Sequence, residues 1–144
     1  MTLKYKKPSA AEYLQIRYDC GFGKVSLMES EKSLNNSLFT VSFYHSKELI
    51  GFGRIIGDGI LYFYIADVLV HPKKRGAGVG NRIIKELLSY LKNKATKSST
   101  IAVISFRNKE SFYIKHGFEM CPNDIFGAGL TYPNFFRETL KSLN

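Results

Sequence analysis

The 144 residues are 44% apolar and 23% charged, the balance of one globular domain spanning residues 1–144 around a single core. Lys and Arg number 21 against 12 acidic residues, a net charge of +9 that favours an anionic partner: nucleic acid, a membrane surface or a phosphorylated ligand. No apolar run reaches the roughly 18 residues of a membrane span, Cys20 and Cys121 form no Cys-x-x-Cys pair, and the histidines lack metal-ligand spacing, which argues against a membrane protein, a disulfide scaffold and a metal site.

In chain order, the charged start Met1–Lys7 leads into no apolar stretch, so no signal peptide is expected and the protein reads as cytoplasmic. Pro8-Ser9-Ala10-Ala11-Glu12 is a helix start. A break at Gly21-Phe22-Gly23 precedes a second helix over about Ser26–Asn35. Leu38–Tyr44 is aromatic and β-branched, the pattern of a strand. Short turns at Ser46–Glu48 and Gly57-Asp58-Gly59 link it to Leu49–Ile56 and Ile60–Val70, giving an antiparallel meander. The third run is nearly all apolar apart from Asp67, so both of its faces are expected to be covered. Beyond it an amphipathic helix sets Val79, Ile83, Ile84, Leu87, Leu88 and Leu91 on one face. A short strand over Thr100–Ile104, a brief helix from Asn108 to Lys115 stopped by Gly117, and a last strand near Ala128–Tyr132 complete the series. The order predicts a mixed α/β sheet with a strand–helix–strand crossover at its centre.

The segment between the third strand and the long helix carries the functional argument. Arg75-Gly76-Ala77-Gly78-Val79-Gly80, preceded by Lys73 and Lys74, joins a buried strand to a helix start. Glycines there allow successive backbone N–H groups to converge on one anion, aided by the positive end of the helix dipole. A nucleotide-binding P-loop needs Gly-Lys-Ser/Thr, but Asn81-Arg82 follows Gly80. A dinucleotide fold needs Gly-x-Gly-x-x-Gly with an acidic residue about twenty positions on, and neither is present.

Those six residues resemble the Gln/Arg-x-x-Gly-x-Gly/Ala signature of the GNAT N-acetyltransferase superfamily. Val68-Leu69-Val70 before His71-Pro72 is similar to that family's central strand, and Phe112-Tyr113-Ile114-Lys115-His116-Gly117-Phe118 resembles its later Phe-Tyr-x-Lys-x-Gly-Phe motif. The resemblance runs from about Leu38 to Phe118, and within the superfamily it looks like a small bacterial subgroup. It implies an α/β (α+β) fold with a mixed sheet of about six or seven strands and about four helices. It also implies acetyl-coenzyme A as acyl donor, direct attack by a primary amine in a ternary complex, no metal, and a homodimer as a common assembly.

Residue by residue, the resemblance puts the coenzyme A pyrophosphate on the N–H groups of Arg75, Gly76, Ala77, Gly78, Val79 and Gly80, with Asn81 nearby. The pantetheine arm would pair with the main chain of Val68, Leu69 and Val70 and with Asn108, in a gap between that strand and Ile101–Ile104. Tyr113 would be general acid to the leaving sulfur; a phenol near pKa 10 gives a thiolate near 8.5 only modest help. Asp67 either removes a proton from the amine or pairs with an Arg to hold its strand, and Tyr64 is placed to relay a proton through water. Arg17, Tyr18, Phe22 and Phe126 are the expected acceptor contacts, with Arg17 suited to a carboxylate.

Two rivals stand beside this reading. A basic nucleic-acid binder suits the charge, but the cations are scattered over several elements and no recognition-helix signature is present, so no nucleic-acid partner is expected. A non-catalytic domain that senses acetyl-coenzyme A would keep the glycine loop without needing Tyr113. The sequence leaves the acceptor open among polyamines, amino acids, antibiotic amines and protein amines.

Overall fold

A computed structural model describes residues 1–133, and the chain forms two compact units, Met1–Val103 and a second that starts at Ile104. The first unit is a five-stranded sheet in the order β1 (Thr2–Lys4), β2 (Phe39–His45), β3 (Glu48–Gly57), β4 (Tyr62–Val70), β5 (Thr100–Ala102). Strands β1 to β4 are antiparallel and β5 runs parallel to β4. Among the described residues the strands number five, fewer than the expected six or seven. Residues 128–132 form no strand, whereas Thr2–Lys4, read as a polar start, pairs with β2.

Helices α1 (Ala10–Asp19) and α2 (Leu27–Asn35) pack on one face of the sheet. Each begins with a capping box: Ser9 and Glu12, and Ser26 and Glu29, exchange side-chain and backbone hydrogen bonds that satisfy helix-start N–H groups. Tyr13, Ile16 and Leu34 bury themselves against Tyr44, Leu49, Phe52 and Leu69. Helix α3 (Val79–Lys94) covers the opposite face with Val79, Ile83, Ile84, Leu87 and Leu91, the apolar stripe its periodicity predicts; Leu88, at the edge of the stripe, is half-buried.

Two glycines of β3 set how closely α3 approaches. A Cβ at Gly51 would lie 2.6 Å from a Val79 methyl, and one at Gly53 would lie 2.4 Å from an Ile83 methyl. The start of α3 is thereby seated tightly on the centre of the sheet, directly behind the glycine loop.

The pleat of β4 is broken where the sequence shows its one acid. Phe52 pairs with Leu69 and Arg54 with Ala66, so Asp67 and Val68 together oppose Gly53: a β-bulge. Asp67 sits at φ 55°, in the left-handed region that Asp tolerates better than most residues. Ile65, opposite Ile55, belongs to the α3 face, whereas Leu69 has joined the α1–α2 core. An unbroken period of two would have kept the two on one face.

In the second unit, helix α4 (Glu110–Ile114) is followed by Gly117 at φ 97°, the left-handed stop expected there.

Candidate acyl-transfer site

The glycine loop follows β4 through His71 and a 3-10 turn at Pro72–Lys74. The His71 backbone N–H donates to the Ile50 carbonyl, and its Nδ1 accepts from Lys73 N–H at 3.2 Å, which fixes the exit from the strand. The Val70 carbonyl receives the Cys20 thiol and the Arg75 Nε, each at 3.3 Å. Burial raises the Cys20 thiol pKa despite the opposing pull of Arg75, so the thiol stays protonated and donates.

Gly76 and Gly78 adopt φ of 80° and 82°, conformations that cost a side-chain-bearing residue roughly 1–2 kcal/mol. Gly78 is the N-cap of α3 and lends no side chain to the helix start; the first turn holds no acidic residue. A 16-residue helix thus presents its first N–H groups, which no intrahelical carbonyl can accept, together with the positive end of its dipole. An ideal Cβ at Gly76 or Gly78 would meet nothing within 4 Å, so these glycines serve backbone conformation and not internal packing. The arrangement fits a diphosphate. Lys73 and Arg75 lie exposed at the same place.

Strand β4 has one edge only partly used. β5 pairs with it at Tyr62, Phe63 and Tyr64 alone, so among the described residues the parallel ladder stops before Val68, Leu69 and Val70. Tyr64 is the last residue of β4 paired with β5, opposite Ala102, and lies opposite Ile56 on β3.

Asp67 is the centre of a charged cluster behind that segment. Its Oδ2 accepts from Arg54 Nε at 2.8 Å and from the Tyr13 hydroxyl at 2.6 Å, and its Oδ1 accepts from Arg17 Nη1 at 3.3 Å. Arg54, 7% exposed, spends its other donors on α2 and the residues just after it: Nη1 on the Ser33 carbonyl and Ser37 Oγ, Nη2 on Ser33 Oγ. Burial, and then the neighbouring Asp67 charge, raise the Tyr13 phenol pKa, which keeps it a donor. The cluster ties α1, α2 and β3 to the bulge. Of its members only Arg17 and Asp67 were singled out in the sequence. The overlooked signal was a lone Arg54 and a lone Asp67 on adjacent apolar strands.

Arg17 and Phe22, expected at the acceptor, meet each other: the guanidinium lies 5.1 Å from the Phe22 ring centre and 5.5 Å from that of Tyr13. Tyr18 is 70% exposed on the same helix. In the second unit, Tyr113 lies on α4 with its ring edge-on to Phe112 and Phe118, at 5.0 and 5.9 Å. Asn108 sits at φ 69° two residues before that helix, and Phe126 lies in a turn closed by Asn123.

The family model for the acetyltransferase (GNAT) domain matches residues 21–135. The chain belongs to this family. An uncharacterized N-acetyltransferase of Pyropia yezoensis is 31% identical over 120 residues, covering 81% of this chain and 68% of that protein. A probable acetyltransferase of unknown function from meticillin-resistant Staphylococcus aureus is 32% identical with a TM-score of 0.82, covering 91% of this chain and 98% of that one. A GNAT acetyltransferase from Brucella melitensis, solved in complex with acetyl-CoA, shares the fold at 16% identity and a TM-score of 0.63 over 91% of this chain and 94% of its own. The GNAT match crosses both compact units, so the family's pattern includes the glycine loop and the α4 motif alike. Among the described residues, no helix of this GNAT chain is long and apolar enough to cross a membrane, and no group of three or more His, Cys, Asp or Glu is placed to hold a metal.

Proposed function

We propose that this protein is an acetyl-coenzyme A-dependent N-acetyltransferase acting on a primary amine in the cytoplasm. The observation that carries the reading is the α3 start. Two left-handed glycines deliver an uncapped 16-residue helix directly behind β4, whose edge beyond Tyr64 is not taken by β5. In this reading the N–H groups from Arg75 to Gly80, with Asn81 beside them, hold the diphosphate, and the main chain of Val68–Val70 holds the pantetheine arm.

When bound, the donor supplies a thioester: the amine nitrogen bonds to the acetyl carbon, the carbon–sulfur bond breaks, and the proton shed by the amine ends on the departing sulfur. A backbone N–H at the bulge steadies the negative charge that grows on the carbonyl oxygen. The family resemblance assigns Tyr113 the proton given to the sulfur, and Tyr64 on β4 the relay of a proton through water. Asp67 acts as a positioning residue and not as the base. Arg17, Arg54 and Tyr13 take three of its roughly four acceptor sites and hold the carboxylate to α1 and β3. This reading assigns no carboxylate as the base, so the rate is expected to track the fraction of acceptor that is unprotonated.

The test is thiol release from acetyl-coenzyme A across a panel of amines, with calorimetry of coenzyme A binding in parallel. Acceptor-dependent release that falls in Tyr113→Phe with binding unchanged supports the reading. Binding without release points to a sensing domain, and absence of binding overturns the assignment of the loop.

A further inference from the structure

We infer that the acceptor is an amine bearing a carboxylate, and that Arg17 is the residue that reads it. The inference rests on the acetyltransferase reading above and names the acceptor class of that same site.

The argument begins with a charge count around the bulge. Two guanidinium groups, Arg17 and Arg54, surround one carboxylate, Asp67, so the cluster holds one positive charge in excess. That excess does not lie on Arg54, whose three nitrogens donate to Asp67, Ser33 and Ser37. It lies on Arg17, which uses a single nitrogen: Nη1 reaches both Asp67 Oδ1 and the Tyr13 hydroxyl. Its Nε is buried and, among the described residues, has no hydrogen-bond partner. A buried donor without an acceptor is costly, more so on a charged group, and asks for a partner.

The neighbouring carboxylates are committed elsewhere. Asp19 accepts from Gln15 and lies 3.6 Å from His71, while Glu12 caps its own helix and receives the Tyr44 hydroxyl. No acid of the described residues is left to complete Arg17. An incoming carboxylate would, because a guanidinium edge offers two parallel donors matched to its two oxygens.

The fork is also held ready. The guanidinium carbon lies 5.5 Å from the Tyr13 ring centre and 5.1 Å from that of Phe22, and one end is pinned to Asp67, so little side-chain freedom is lost on binding. Phe22, which sits between Gly21, at φ 80°, and Gly23 in a stretch without regular structure, would have to turn aside for a carboxylate to reach the Nε edge. The position suits an acceptor, since Asp67 immediately precedes Val68 and the β4 segment assigned to the thioester. An α-amino acid places its amine one carbon from such a carboxylate.

The experiment compares matched acceptors in the thiol-release assay: phenylalanine, its amide, phenethylamine, and an acidic peptide with an N-terminal aspartate. The expected result is a KM for phenylalanine roughly ten- to a hundredfold below that for phenethylamine and the amide, the size of a charge-assisted hydrogen-bonded pair. In Arg17→Gln that gap closes because the KM for phenylalanine rises far more than the KM for phenethylamine. Arg17→Lys retains part of the preference, and coenzyme A binding by calorimetry is the same in all three proteins. The acidic peptide separates the two sources of the carboxylate: a peptide preferred to phenylalanine moves the acceptor to protein N-termini while keeping the role of Arg17. Equal or better use of phenethylamine by the unaltered protein overturns the inference, as does an Arg17→Gln that slows every acceptor alike. Failure of the unaltered protein to bind coenzyme A would instead sink the parent reading, and this one with it.

Discussion

Replacing Arg54 by Met removes four hydrogen bonds at once and leaves Asp67 Oδ2 with only the Tyr13 hydroxyl. The Arg54–Asp67 contact is 2.8 Å long, and each side chain is 9% exposed, so solvent offers little compensation. Breaking a buried pair from one side costs about 3–5 kcal/mol, much of it the penalty of stranding the remaining charge. Arg17 meets the same carboxylate at 3.3 Å with 18% of its side chain exposed, so Arg17→Met should cost distinctly less. Asp67→Asn keeps the shape and tolerates the left-handed backbone, yet turns one acceptor into a donor facing cations. A double-mutant cycle between Arg54→Met and Asp67→Asn, read by urea unfolding, should give a coupling of about 1–3 kcal/mol, because the second change removes what the first left unpaired. A coupling below about 0.5 kcal/mol, or Arg17→Met costing more than Arg54→Met, would refute the account of the bulge as held by this pair.

Further outcomes follow from the same geometry. Gly53→Val forces a Cβ to within 2.4 Å of Ile83 and lifts α3 from the sheet; thermal unfolding should report a loss of about 1–3 kcal/mol or more, with weaker coenzyme A binding because the helix start moves. Gly78→Val meets no neighbour but must hold φ 82°, so it should cost roughly 1–2 kcal/mol of stability while calorimetry shows coenzyme A affinity reduced roughly tenfold or more. Burial, and then Glu12, push the Tyr44 phenol from its ordinary 10.0 to about 12. A raised folded-state pKa means this contribution to stability is full below pH 10 and is lost as pH climbs towards 12; Tyr44→Phe should flatten the alkaline limb of a stability–pH curve, leaving the part due to Tyr13, which is raised in the same direction.

The order of elements was legible because each one obeys a local rule. The helix starts at Ser9 and Ser26, the meander turns around Ser46–Glu48 and Gly57–Gly59, and the stripe from Val79 to Leu91 depend on residues close in sequence, and the structure carries all of them. The glycine loop was legible for the same reason: alternating glycines between a strand and a helix mean one thing to a backbone whatever lies around them. Less visible were β1, three residues made a strand only by pairing with β2, and the expected strand at 128–132, whose aromatic and β-branched residues find no ladder among the described residues. A strand is completed by its neighbour, so composition alone is weak evidence for one.

What the sequence by itself determined, then, is the family, the loop at Arg75–Gly80 and the face of α3 that meets the sheet, each written in spacing over a few turns. What only the tertiary structure decided is which residues Asp67 meets. Its partners lie 54, 50 and 13 positions away at Tyr13, Arg17 and Arg54, and they converge on it because a bulge turns one residue of β4 out of register. Hydrogen bonds act over about 3 Å in space and take no account of distance along the chain, so a carboxylate that in one dimension reads as either a base or the partner of an unnamed Arg is seen in three to pair with Arg17, Arg54 and Tyr13.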